Sequence, residues 1–171
     1  MQPAAHCPRG FTLIELLVAV VIVAVLAGAL TLAVGSIGGE RQLAREAEQA
    51  RALIGYACEQ AELSGRSIGL SFAARGYRFS RLAGAAWQPI AADELRPRVW
   101  LVGTQARLRR DDNDVQITAD FPDKPQLACF SSGELTPFQL ELRLADASRY
   151  YRLDGAGDGS VTLVAVDLHA R

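Results

Sequence analysis

Hydrophobic residues follow three successive rhythms along this chain. From 11 to 39 they are nearly continuous, occupying 21 of 29 positions with Glu15 the single charge, and Leu16–Gly39 runs 24 residues without one. At 1.5 Å rise per residue that run exceeds the roughly 30 Å hydrocarbon core of a bilayer. A buried helix of a globular core rarely carries so long an uncharged stretch, so 11–39 is predicted to be a transmembrane and assembly helix. Beyond Gly38-Gly39 the apolar positions thin to Leu43, Ala47, Ala50, Ile54, Ala57 and Ala61, with Arg and Glu between them. Spacings of four and three predict an amphipathic helix over 40–64, stopped at Ser64-Gly65. As one element, 11–64 would span about 80 Å, with Gly35, Gly38 and Gly39 adding flexibility or a local break where the helix meets water.

After Gly65 the rhythm shortens to strands and turns, a β-rich head over 65–171. Ser67–Ala73, Tyr77–Leu82 and Ala86–Ile90 are separated by Arg75-Gly76 and Ala83-Gly84; Val99–Val102, Val115–Ala119 and Leu127–Phe130 follow. Phe138, Leu140, Leu142 and Leu144 alternate with Gln139, Glu141 and Arg143, the pattern of a half-buried antiparallel strand. Tyr150–Leu153 and Ser160–Val166 flank Asp154–Gly159 and read as a hairpin. The fold class that follows is α+β, a long helix packed on an antiparallel sheet or sandwich.

Composition changes the picture only once it is divided. The 171 residues carry a net charge of −1, which gives no support for a nucleic-acid binder held by a basic surface. Residues 40–171 hold 60 hydrophobic residues in 132, with 17 basic and 18 acidic side chains, the balance of a soluble domain large enough for its own core. Arg9 is the only charge before the apolar run, and the positive-inside rule keeps that end cytoplasmic. A secretory signal cleaved near Ala27-Gly28-Ala29 is the competing reading. Against it, the apolar run opens with a carboxylate and continues past Ala29. A carboxylate inside an apolar span costs roughly 2.5–3.5 kcal/mol, so Glu15 lies at the headgroup interface or has a partner.

Arg9-Gly10-Phe11-Thr12-Leu13-Ile14-Glu15-Leu16-Leu17 resembles the processing motif of type IV pilins and type II secretion pseudopilins. The resemblance implies a leader over 1–10, cleavage after Gly10 by a prepilin peptidase and N-methylation of Phe11 by the same peptidase/methyltransferase. Glu15 then becomes the fifth mature residue, the family's glutamate, and Cys7 leaves with the leader. The new α-amine is cationic at neutral pH, and Glu15 of a neighbouring subunit or of the same helix can neutralise it. Such a pair fixes register more than affinity. A pilin-like architecture is implied, with the helix half in lipid and half under the head.

The head narrows the resemblance. Gly76-Tyr-Arg-Phe79 with Trp87, Gly133-Glu-Leu-Thr-Pro-Phe138 and Leu153-Asp-Gly155 are similar to H-type minor pseudopilins of type II secretion. This implies a low-abundance subunit near the tip of a periplasmic pseudopilus, anchored by a single pass in the bacterial inner membrane with its C-terminal domain periplasmic. Implied partners are the other minor pseudopilins and the major pseudopilin, with the secretin or secreted cargo as further candidates. The rival is a FimT-like minor type IV pilin serving pilus assembly or DNA uptake. The closing Val166-Asp-Leu-His-Ala-Arg171 lacks the basic stretch of DNA-binding members, so no nucleic acid is expected.

The remaining chemistry is sparse. Asp154, Asp158 and Gly159 begin like a calcium loop, but Ala156 and Ala165 stand where ligands are needed, leaving a Gly/Asp turn and no metal. Cys58 and Cys129 are candidates for a disulfide in an oxidising compartment, with two buried free thiols the favoured alternative. Arg107, Arg109, Arg110, Asp111, Asp112 and Asp114 read as a solvated loop between strands or a partner-recognition loop. Trp100 reads as core, while Tyr150 and Tyr151 fit core or interface. With His169 the only histidine after Gly10 and no nucleophile elbow at Ser131-Ser132-Gly133, neither an enzyme nor a cofactor site is expected.

Overall fold

A computed structural model describes residues 12–168, the side chains of 29–37 excepted. Gly10, Phe11, Cys7 and His169 therefore lie outside the described residues. Helix α1 spans Leu13–Ser64, and the chain divides into two compact units between Ile37 and Gly38, beside the glycine pair where the hydrophobic rhythm changes. The first unit starts on a cap. Thr12 accepts the Glu15 N–H at its Oγ1 (3.3 Å), so Thr12-Leu-Ile-Glu15 has the layout of a capping box with the glutamate at its third helical position.

In the second unit the helix ends on a Schellman motif. The Arg66 N–H donates to the Ala61 carbonyl (3.2 Å) and that of Gly65 to Glu62 (3.3 Å), with Gly65 at φ 62°, a conformation that favours glycine. The predicted inner face is the buried face: Leu43, Ala47, Ala50, Ile54, Ala57 and Ala61 are all buried, joined by Leu53 and Cys58.

Two antiparallel sheets complete the head. The first has the order β3-β2-β1-β7, with β4 also paired to β2: β1 Ile68–Ala73, β2 Gly76–Ala83, β3 Ala86–Pro89, β4 Arg98–Val99 and β7 Leu127–Cys129. The second has the order β10-β9-β8-β5-β6: β5 Thr104–Arg110, β6 Asn113–Val115, β8 Phe138–Leu144, β9 Arg149–Gly155 and β10 Val161–Asp167. β1 is buried along its whole length. The register aligns Leu163, Leu153, Leu140, Leu108 and Val115 across the second sheet, and these leucines join the helix face and the first sheet in one hydrophobic cluster.

Three sequence readings change. Residues 104–110, read in part as a charged loop, form β5, because Ala106 and Leu108 face inward while Gln105, Arg107 and Arg109 face water. Val115–Ala119 is strand only at Val115, the end of Asn113–Val115, because the Gln116 carbonyl goes to the Gln126 side-chain amide (3.4 Å) and not to a neighbouring strand. Val99–Val102 is strand only at Val99, the end of Arg98–Val99. Gly103, at φ 90°, turns the chain there, and the Thr104 N–H closes onto the Leu101 carbonyl (3.0 Å).

Candidate functional site

The N-terminal unit offers apolar surface on every side. Eleven large residues between Leu13 and Leu26 are exposed, and a helix hydrophobic all round is stable only under cover from lipid or other helices. Among the described residues no helix is long and apolar enough to cross a membrane; the side chains of 29–37, which continue the uncharged run, lie outside them. Glu15, exposed on the first turn, is the only charge of this unit among the described residues. Its backbone is occupied by the Thr12 cap, while its carboxylate accepts no hydrogen bond from a described residue.

The second unit fastens its helix to the sheets at three points. At the first, Glu40 Oε1 accepts the Ser148 N–H (2.7 Å) and hydroxyl (2.9 Å) in the β8–β9 turn. At the second, Glu46 Oε2 accepts the Leu101 N–H (2.7 Å) beyond β4. At the third, Cys58 and Cys129 are bonded in a disulfide with Cα atoms 4.9 Å apart, inside the range the bond requires; two free thiols are not what the structure contains. Glu46 lies three residues after Leu43 and four before Ala50, on the border of the buried face, so its position was readable while its partner 55 residues away was not. Glu40 gave no signal at all.

Both bonds from Ser148, the backbone one first, hold the Glu40 carboxyl below its ordinary value of 4.5. A carboxylate with a depressed folded-state pKa contributes stability that is full above the unfolded value and disappears as pH falls through the folded one. Glu40→Gln is therefore expected to lower the melting temperature near pH 7, by a change worth at most about 1 kcal/mol after solvent screening. The gap between variant and parent should close as pH drops below about 4.5. A gap of the same size at every pH at which the head stays folded would show that the carboxylate charge is not what matters.

Around these anchors the surface presents two distinct features. Val99 and Val102 are 75% and 93% exposed on either side of Trp100, which is buried and packs on Tyr77 with ring centroids 4.6 Å apart. Two apolar tips are thus held out by a rooted segment, beside a shallow groove lined by Ala74, Arg75 and Leu101. Trp100 Nε1, Thr104 Oγ1 and Arg98 Nε in this stretch are buried without a hydrogen-bond partner among the described residues. The mixed-charge segment is the β5–β6 hairpin, turned by Asp111 and Asp112 at φ 51° and 61°, the geometry of a two-residue type I′ turn. Its charges face one another: Arg107 pairs with Asp114 at 2.7 Å, Arg109 lies 3.8 Å from Asp112, and Arg110 3.8 Å from Asp111. Such pairs in water contribute little stability, and they leave no uncompensated charge for a ligand.

The Gly/Asp turn closes on itself. Asp158 accepts the Ser160 hydroxyl (2.6 Å) and N–H (2.9 Å), which hold its carboxyl below the usual range, and Asp154 accepts from Gln139 and Arg152. Tyr151 is buried, whereas Tyr150 is half-buried on the outer face.

Residues 46–159 match the family model described as type II transport protein GspH, and residues 6–31 match the prokaryotic N-terminal methylation motif. The chain is 38% identical over 141 residues to type II secretion system protein H of Pseudomonas aeruginosa, covering 78% of this chain and 82% of that one. It is 30% identical over 160 residues to the protein H of Aeromonas hydrophila, covering 86% and 87%. Its fold is similar to the crystal structure of the minor pseudopilin EpsH of Vibrio cholerae, with a TM-score of 0.63 at 23% identity, covering 76% of this chain and 98% of that one.

Proposed function

This chain belongs to the GspH family and is a minor pseudopilin of type II secretion, and from that premise we propose that it is a membrane-anchored subunit at or near the tip of the periplasmic pseudopilus. Its leader ends at Gly10, its mature chain starts at methylated Phe11, and its apolar helix passes from the inner membrane into the filament among the helices of other pseudopilins. The head stays in the periplasm and meets neighbouring heads, and the rooted Val99 and Val102 tips suit apolar contact there. The observation that carries this reading is the triple fastening of helix to sheets through Glu40, Glu46 and the Cys58–Cys129 bridge. A head so held goes wherever residues 38–64 are carried.

Glu15 supplies the test. Its position allows two roles. One is the third place of a Thr12 capping box, whose return bond from the Glu15 side chain is not made in this structure and which glutamine would also serve. The other is a counter-charge to a neighbour's α-amine, which glutamine does not supply. With the mature N-terminus confirmed by mass spectrometry as methyl-Phe11, Glu15→Ala and Glu15→Gln are both expected to lower secretion at least tenfold. Stranding a buried amine costs about 3–5 kcal/mol, whereas losing a cap costs about 1 kcal/mol. If Glu15→Gln secretes normally and only Glu15→Ala fails, the counter-charge role is wrong and the cap explains the residue.

A further inference from the structure

The two sheets have four edges, and three are blunted. On the first sheet β7 is covered on its outer side by 134–136, with the Thr136 N–H on the Ala128 carbonyl (2.9 Å) and that of Phe130 on Glu134 (2.8 Å). The opposite edge is divided between the two-residue β4 and the four-residue β3, which ends at Pro89. On the second sheet β6 has three residues, one of them Asp114. Short strands, charge and proline are how sheets prevent further pairing. β10 is the least protected: it is seven residues long without a proline, and its one charge, Asp167, stands at its last position and pairs with Arg149 of β9 (3.3 Å), leaving Val161–Val166 uncharged.

Its hydrogen-bonding phase is fixed at both ends. The Ala156 N–H donates to the Ser160 carbonyl (2.9 Å), and the Leu168 N–H to Ser148 (2.9 Å). In an antiparallel ladder bonded and non-bonded residues alternate, so 160, 162, 164, 166 and 168 turn their backbone groups to β9. Val161, Leu163 and Ala165 turn theirs to the open side, where no described residue pairs with them. Beside that row stand the uncharged side chains of Thr162, Val164 and Val166 on the outer face, with Val164 40% exposed.

We propose that β10 is a docking edge that accepts an extended, uncharged strand from the head of a different pseudopilin, extending the second sheet by one strand. What is unmet is backbone, so the occupant must offer backbone N–H and C=O groups at alternate residues, with β-branched or apolar side chains to lie beside Thr162 and Val164. Pairing of β10 with its own copy would be two-fold and closed, whereas a filament grows through heterologous contacts that do not close. The choice of a different subunit rests on the pseudopilin reading above.

The test uses the full-length chain in cells that contain the other pseudopilins. One photo-cross-linking residue replaces Val164, and another, in a separate chain, replaces Val20 in the N-terminal helix to report assembly as such. The Val164 probe is expected to capture another pseudopilin. Ala165→Pro, which removes an outward N–H without touching a β9 bond, should reduce that capture about tenfold or more while leaving Val20 capture intact. If proline alters the protease resistance of the head, Ala165→Lys, a charge at the same edge, takes its place with the same expectation. Capture of a second copy, of a secreted protein or of nothing at Val164 overturns the proposal while Val20 capture keeps the pseudopilin reading in place. Capture that is insensitive to Ala165→Pro and Ala165→Lys overturns it too, and failure of both probes removes the proposal together with the reading beneath it.

Discussion

Gly76→Ala is expected to destabilise the head by about 3 kcal/mol or more, at the upper end of what overpacking costs. A Cβ at Gly76 would lie 1.9 Å from the Arg98 carbonyl oxygen, 2.9 Å from its carbon and 3.0 Å from the Val99 Cα. All three are backbone atoms, so no side chain can rotate out of the way. The contact exists because β4 is laid directly on the start of β2, with Gly76 opposite Val99 and Tyr77 opposite Arg98. To make room, β4 must move outward, drawing Trp100 off the Tyr77 ring and straining the Trp100 N–H bond to the Arg75 carbonyl (2.8 Å). Loss of part of that aromatic burial adds to the steric term. Denaturant unfolding measures the effect, with Gly55→Ala as control. Gly55 is on the helix with nothing within 4 Å of an added Cβ, so alanine there should be neutral or stabilising by up to about 1 kcal/mol. A Gly76→Ala midpoint close to the parent's would refute the β2–β4 contact.

Gly76 also explains what a single sequence hides. The helix through the apolar N-terminal run, its buried face beyond Gly39 and the Phe138–Leu144 strand were legible because each repeats one period over many residues, and repetition survives without knowledge of partners. The head motifs carried a family resemblance but no mechanism until their neighbours were known. Gly155 is required because an added Cβ would stand 2.1 Å from the Phe138 ring, which ends the Gly133–Phe138 motif. Gly69 would meet Pro125 at 2.2 Å and Trp87 at 2.8 Å. These are long-range approaches, and glycine in sequence does not name the residue that crowds it. β5 failed for a different reason. Its alternation of Ala106 and Leu108 with Gln105, Arg107 and Arg109 was present, but three arginines in four residues, Arg107 to Arg110, resembled a loop because the burial that makes such a strand stable comes from β8. At the processing site the motif alone speaks, since Gly10 and Phe11 lie outside the described residues.

Cys58→Ala combined with Cys129→Ala is expected to cost about 4 kcal/mol, from the entropy released when a loop of sequence separation 71 is opened in the unfolded chain. That figure approaches the whole stability of an ordinary domain, and for a head of this size it corresponds to a fall in melting temperature of roughly 10–20 °C. The bridge joins the helix to β7 and encloses the chain from Glu59 to Ala128, so its removal frees β1 to β6 from the helix in the denatured ensemble. In the folded state Ala57, Ala61 and the β1 side chains still pack as before, and the native contacts change little. Stability should therefore fall while the anchors at Glu40 and Glu46 persist, and secretion by the double variant should fail at elevated temperature before it fails at low temperature. Both sulfurs are buried, Cys58 at 6% and Cys129 at 4% exposure, so reductant reaches them only when the head opens. Residues 11–171 carry no other cysteine, so in a protein of that span no thiol should titrate in the native or denatured state and two should titrate after denaturation with reductant. Two thiols titrating in denaturant alone would mean the bridge does not form, and the double variant would then lose no more than the packing of two sulfur atoms.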